Sequence, residues 1–154
     1  MRSHERDGGS SRSLRGMLAR YRIVRGRRPP NEPLPDGIRE DTRKHTRHVL
    51  RPMPENVRRY LATPNEEEFR KYAARYEAEI AARFERDRTP FDELAERARA
   101  NDVYLGCNCP TRKNPDVRHC HTVLALAFMK KKYPKLRVVM PRSRASLRRG
   151  PRPS

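Results

Sequence analysis

The chain has no run of eighteen or more apolar residues, so no segment is long enough to cross a bilayer as a helix. Its first thirty residues hold no apolar stretch of signal-peptide length, which argues against a secretory leader and for a cytoplasmic protein. Cysteine is scarce, three in 154 residues. Without a secretory context, so few argue against a disulfide framework and for reduced thiols. Acidic residues are scarce too, 19 against 37 Lys and Arg, which leaves a net charge of +18. Hydrophobic residues make up 34% and charged residues 36%, so the chain supports one domain with a modest core.

The positive charge gathers at the ends. Residues 1–30 hold nine Arg against Glu5 and Asp7, and residues 141–154 hold five Arg and no acid. Both ends are rich in Ser, Gly and Pro and nearly free of aromatics. Such segments cannot bury enough apolar surface to offset chain entropy. We therefore expect disordered basic tails over 1–16 and 141–154, able to bind phosphate backbones in a salt-sensitive way, around a single α/β domain over 17–140. Met17 is an alternative start of translation, in which case residues 1–16 would be absent from the protein.

Within the middle, Met17–Arg25 alternates as a strand does. Four prolines in 26–36 forbid regular structure. Residues 37–51 are polar, with Arg47–Leu50 the best place for an additional strand. A short helix is expected over Pro54–Ala62. The next helix is the clearest: Thr63 as N-cap, Pro64 at the first position and Glu66 at the third form a capping box. Phe69, Tyr72, Ala73, Tyr76, Ile80 and Phe84 form one apolar stripe, with Glu66–Arg70 and Glu79–Arg83 as i,i+4 pairs. A further helix has Thr89 as cap and Phe91, Leu94, Ala95 and Ala98 on its inner face. Val103–Cys107 reads as a buried strand. The last helix is expected to begin near Asp116, to end in Lys130–Lys132 and to stop at Pro134, with Leu136–Met140 a final strand. This order of elements predicts an α/β fold, a small parallel or mixed sheet flanked by helices, Rossmann-like in its connections.

All three cysteines and two of the five histidines crowd into one window, Cys107-Asn108-Cys109-Pro110 and then His119-Cys120-His121. It lies at the carboxyl end of a strand and the start of a helix, where α/β sheets bind ligands. Free N–H groups at the helix start, with Arg112, Lys113 and Arg118, favour an anion and a lowered thiol pKa. Three readings follow. In the first, the ligand is a small anion such as a nucleotide: Cys107 contacts or attacks it, His121 transfers a proton or holds the thiol, and Cys109, Arg118, His119 and Cys120 complete the ligand-binding set. In the second, Cys107, Cys109, Cys120 and His121 hold a structural zinc in a nucleic-acid-associated binding protein. Helix geometry stands against that set, because neighbours on a helix diverge by about 100°; His45 and His48 are possible additional ligands. In the third, the cysteines are small hydrophobes in packing and the histidines bond to nearby carbonyls.

The run Tyr104-Leu105-Gly106-Cys107, followed by a loop and His119-Cys120-His121-Thr122-Val123-Leu124-Ala125, resembles the C-terminal signature of the family of domains of unknown function numbered 488, the YeaO-like proteins. The Phe69-Arg70-Lys71-Tyr72 helix resembles that family's Arg–Tyr helix, and Cys107-Asn108-Cys109-Pro110 is similar to a related family of unknown function. The resemblance covers roughly residues 45–130. It implies a small Rossmann-like sheet with Cys107, Cys120 and His121 at motif positions, and no established reaction. Thr122 stands where an Arg commonly follows the Cys-His pair, and Arg118 or a histidine is the expected substitute.

Overall fold

The short apolar run Val103–Gly106 sits where its composition demands, in the middle of the sheet. A computed structural model describes residues 16–142. Within them the elements are β1 (Met17–Arg22), β2 (Ile38–Asp41), α1 (Pro54–Ala62), α2 (Glu66–Arg86), α3 (Thr89–Ala100), β3 (Asp102–Cys107) and α4 (His121–Lys132). β3 pairs in parallel with β1 on one side and with β2 on the other, so the expected parallel or mixed sheet is parallel. Register runs from Met17 opposite Asp102 to Arg22 opposite Cys107, and from Ile38 opposite Val103 to Asp41 opposite Gly106. All three strands therefore end at the same rim. Apart from Gly16, Pro141 and Arg142, the expected tails lie outside the described residues. No described helix is long and apolar enough to cross a membrane.

Helices α3 and α4 pack on β1 and β3, while α1 packs on α2. The expected stripe of α2 is buried at Phe69, Tyr72, Tyr76, Ile80 and Phe84, and that of α3 at Phe91, Leu94, Ala95 and Ala98. The core joins Leu18, Leu50, Tyr76, Ile80, Phe91, Leu105, Leu126 and Met129. Burying side chains of this size stabilises by about 1.5–3 kcal/mol each. Gly106, at the end of β3, is a close-approach position: a Cβ there would lie 2.7 Å from Tyr21 Cε1.

Several local expectations are corrected. The strand within 37–51 is Ile38–Asp41, and Arg47–Leu50 is irregular chain leading into a turn closed by Arg51 N–H on His48 O. Side chains of α2 claim the carbonyls a strand there would need: the Tyr76 hydroxyl donates to Leu50 O and Arg83 donates to Val49 O, each at 2.7 Å. The N-cap of α2 is Asn65, whose side chain accepts from Glu68 N at 2.8 Å, while Thr63 closes α1 by donating its N–H to Tyr60 O. Asn caps better than Thr, which places the start two residues on. Neither expected i,i+4 pair forms, because tertiary partners take both. Glu66 meets His119, Glu79 accepts from Met53 N, and Arg83 turns inward to two loop carbonyls. In α3 the N-cap is Arg88, with Thr89 the first helical residue. The final helix starts at His121, not near Asp116. Asp116 closes a local turn onto Arg118 N at 3.0 Å, and Asn114 holds the carbonyl of His119 at 2.7 Å, so the backbone stays irregular up to Cys120. The expected last strand shrinks to one parallel bridge between Leu18 and Val138. Val139 and Met140 beyond it are 41% and 46% exposed, so no core face draws them into a ladder.

Candidate functional site

Two elements deliver the sulfurs. β3 ends on Cys107, and Cys109 follows two residues on, its sulfur turned toward that of Cys107. Cys120 is the N-cap of α4, with extended backbone (φ −133°, ψ 143°), and His121 is the first helical residue. This removes the helix-geometry objection: Cys120 is not on the helix, so it and His121 both turn toward the strand end. The Sγ atoms of Cys107, Cys109 and Cys120 lie within 4.8 Å of one another, and His121 Nδ1 is 3.9 Å from Cys120 Sγ. All three cysteines are free; Cys120 and His121 are buried, Cys107 and Cys109 half-buried.

A surrounding layer of hydrogen bonds fixes these groups. Thr42, just after β2, places its hydroxyl 3.0 Å from Gly106 O and 2.8 Å from His121 Nε2. A carbonyl can only accept, so the single hydroxyl proton goes to Gly106, and His121 Nε2–H donates to Thr42. His121 Nδ1 is therefore the nitrogen turned to the sulfurs. Asn114 Nδ2 donates to Cys109 Sγ at 3.4 Å, while its Oδ1 accepts from the Tyr60 hydroxyl at 2.9 Å. The Thr122 hydroxyl donates to Cys120 Sγ at 3.1 Å and accepts from Arg20 Nε at 2.8 Å; the same guanidinium donates to Cys109 O at 2.6 Å. Thus the cation beside Thr122 comes from β1.

Proton affinities in the cluster are pulled apart. Contact with Cys109, then with Cys120, and burial push the Cys107 thiol far above the ordinary range. For Cys109 the bond with Cys107 favours the thiolate, but contact with Cys120 and burial outweigh it and push the thiol up to about 12. Burial alone would raise Cys120; hydrogen bonds with Cys107, Cys109 and His121 prevail and hold it well below the usual value. Burial likewise works against a charged His121, yet its bonds with Cys107 and Cys120 push it up to about 10. These shifts favour the thiolate at Cys120 over the other two sulfurs, beside a histidine whose charged form is favoured as well.

The cluster forms the floor of a cavity of about 890 Å³ on the carboxyl rim of the sheet. Ile23 and Arg25 follow β1, and Arg43, Lys44 and His45 follow β2. The opposite wall is Val57, Tyr60 and Leu61 of α1 with Tyr72 of α2, whose phenol burial holds well above its ordinary pKa. Among the described residues no carboxylate lines the cavity. Of the residues singled out from the sequence, Cys107, Cys109, Cys120 and His121 come together. His119 reaches the cavity, but its ring stacks on Phe69 at 4.6 Å and meets Glu66 at 3.0 Å. Arg118 lies outside the lining and holds Asp116 at 2.7 Å. His45 lines the cavity, whereas His48 bonds Glu40 at 2.8 Å, away from it. Thr42, Asn114 and Arg20 carried no sequence signal as site residues, and Thr122 was marked only as the position where an Arg is common.

The sequence model of one protein family, described as DUF488-N3a, the active DUF488-N3 subclade, matches residues 11–133. No curated protein and no solved structure matches the chain.

Proposed function

This chain belongs to the DUF488 family, and on that premise we propose that Cys107, Cys109, Cys120 and His121 hold one zinc-type ion at the floor of a pocket that binds a small anionic ligand, such as a nucleotide. The observation that carries the reading is the sulfur triangle, closed to within 4.8 Å by residues from two separate elements. A tetrahedral zinc with Zn–S near 2.3 Å needs sulfurs about 3.8 Å apart, so small side-chain movements suffice. The donors suit the ion: soft thiolates and one imidazole whose far N–H is held by Thr42, as metal-bound histidines are usually held. Asn114 and Thr122 give N–H and O–H donors to two of the sulfurs, which offsets thiolate charge. With four protein ligands the ion would be structural, pinning the end of β3 to the start of α4. The ligand pocket above it rests on its lining: cations from two loops, an aromatic wall and, among the described residues, no carboxylate. A reducing, cytoplasmic setting suits the free thiols.

A second reading rests on the hydrogen bond from Thr122 to Cys120 Sγ, which favours a thiolate without a metal. There Cys107 faces the ligand as a nucleophile whose proton the Cys120–His121 pair takes. Elemental analysis of protein purified under reducing conditions separates the two. The proposal expects about one zinc per chain, and unfolding when a chelator removes it. Metal-free folded protein with one rapidly alkylated cysteine would replace it with the second reading.

A further inference from the structure

Four tyrosines are buried among the described residues: Tyr60, Tyr72, Tyr76 and Tyr133. Three have a partner for the hydroxyl. Tyr60 donates to Asn114 Oδ1, Tyr76 to Leu50 O and Tyr133 to Asp92 Oδ1. Tyr72 is the exception. It is 4% exposed, and its hydroxyl makes no hydrogen bond among the described residues. Nor is that oxygen sealed within packing, since the sealed and unpartnered side-chain atoms belong to Arg75 and Arg83. Tyr72 lines the cavity that the cysteines floor.

Packing does not account for this hydroxyl. The Tyr72 ring lies 5.4 Å from Tyr60, 5.7 Å from Phe69 and 6.4 Å from Tyr76, an aromatic pile in which a phenylalanine would serve equally. A hydroxyl that reaches the cavity without a protein partner keeps its proton free to donate to what the cavity holds. Its natural partner is an acceptor atom brought in by a ligand.

The charge at the cavity mouth narrows the ligand. Arg43 is occupied by Asp41 at 2.8 Å, but among the described residues Arg25 and Lys44 pair with no carboxylate. Two free cations match a doubly charged oxyanion better than a single carboxylate. Resting on the anion-pocket reading above, we propose that Tyr72 is a ligand-binding residue, its hydroxyl donating to an oxygen of a phosphate-bearing small molecule whose charge faces Arg25 and Lys44. Free phosphate and a nucleotide phosphate share this chemistry.

The test uses the full chain with inorganic phosphate and adenosine 5′-monophosphate as separate probes, read by calorimetric titration. The variants are Tyr72→Phe and, as a control outside the cavity, Tyr104→Phe. At least one probe is expected to bind the wild type, and Tyr72→Phe to weaken it about tenfold, as loss of one hydrogen bond to a charged group implies. Binding of the nucleotide alone assigns the site to nucleotide phosphate; equal binding of both assigns it to phosphate itself. Because the hydroxyl has no partner among the described residues, the thermal midpoint of Tyr72→Phe is expected to equal or exceed that of wild type. Unchanged affinity in Tyr72→Phe overturns the role of Tyr72 and leaves the anion pocket standing. A marked fall in its thermal midpoint shows a structural bond and also overturns that role. Failure of both probes to bind wild type removes the anion pocket and the role of Tyr72 together.

Discussion

Replacing Thr42 by valine keeps the shape of a fully buried side chain and deletes one hydroxyl. That hydroxyl accepts from His121 Nε2 at 2.8 Å and donates to Gly106 O at 3.0 Å. Gly106 O keeps a partner in the Thr42 backbone N–H, also at 3.0 Å, so the uncompensated loss falls on His121. His121 is 3% exposed, and a buried N–H without a partner costs about 1–3 kcal/mol. If His121 is a metal ligand, the ring is then free to turn and Nδ1 no longer faces the sulfurs. Loss of such an outer partner lowers metal affinity by about 10–100-fold, roughly 1.4–2.7 kcal/mol. Competition against a zinc chelator measures the affinity, and cobalt substitution reports whether the S₃N ligand field survives. Thr42→Ser, which restores the hydroxyl, is expected to recover most of the affinity. Equal zinc affinity in wild type, Thr42→Val and Thr42→Ser would refute the argument that Thr42 orients His121 as a ligand.

Acid should weaken the fold through Glu40. Its carboxylate sits between His48 and Arg97, each at 2.8 Å; burial works to raise its pKa, but these hydrogen bonds prevail and hold it below the ordinary 4.5. A depressed carboxylate stabilises fully above its unfolded pKa, and that contribution is lost as pH falls through the lower, folded value. Urea midpoints should therefore drop steeply below pH ~4 in wild type and less steeply in Glu40→Gln; matching slopes would count against the network. Leu50→Ala removes a side chain that is 0% exposed within the main core, with an expected loss of about 2–5 kcal/mol in chemical denaturation. A loss under about 1 kcal/mol would mean that the 47–51 turn is not anchored as described. If the Arg-rich ends engage nucleic acid, affinity for generic RNA should fall steeply between about 50 and 200 mM salt, and deletion of residues 1–15 and 143–154 should flatten that slope. Salt-insensitive binding, or none, dismisses the tails as a nucleic-acid surface.

Much of the site was legible because its chemistry is carried by rare residue types. Three cysteines in fourteen positions, beside two histidines and after an apolar strand, mark a place whatever the fold around it. Helix α1 and the stripes of α2 and α3 were legible for another reason: their apolar spacing is local and long enough to override single caps. The starts of helices were less so, because several residues nearby cap almost equally well. Thr63 and Asn65 compete at α2, and Asp116 spends its carboxylate on Arg118 instead of opening α4. Strand β2, Ile-Arg-Glu-Asp, reads as polar, and only the fold shows what holds its acids there: Glu40 accepts from Arg97 and bonds His48, and Asp41 accepts from its neighbour Arg43. The supporting layer of the site was invisible for the same reason. Thr42 and Arg20 are ordinary residues that meet their partners across 79 and 102 positions of chain, and only the parallel pairing of β1 and β2 about β3 brings them to the rim.

X-ray absorption at the zinc edge of the purified, reduced protein tests the central claim most directly. A centre built from Cys107, Cys109, Cys120 and His121 predicts three sulfur scatterers near 2.3 Å and one nitrogen at about 2.0–2.1 Å, with Cys120→Ser reducing the sulfur count by one. A shell of oxygen and nitrogen alone, or a spectrum unchanged by Cys120→Ser, would contradict it.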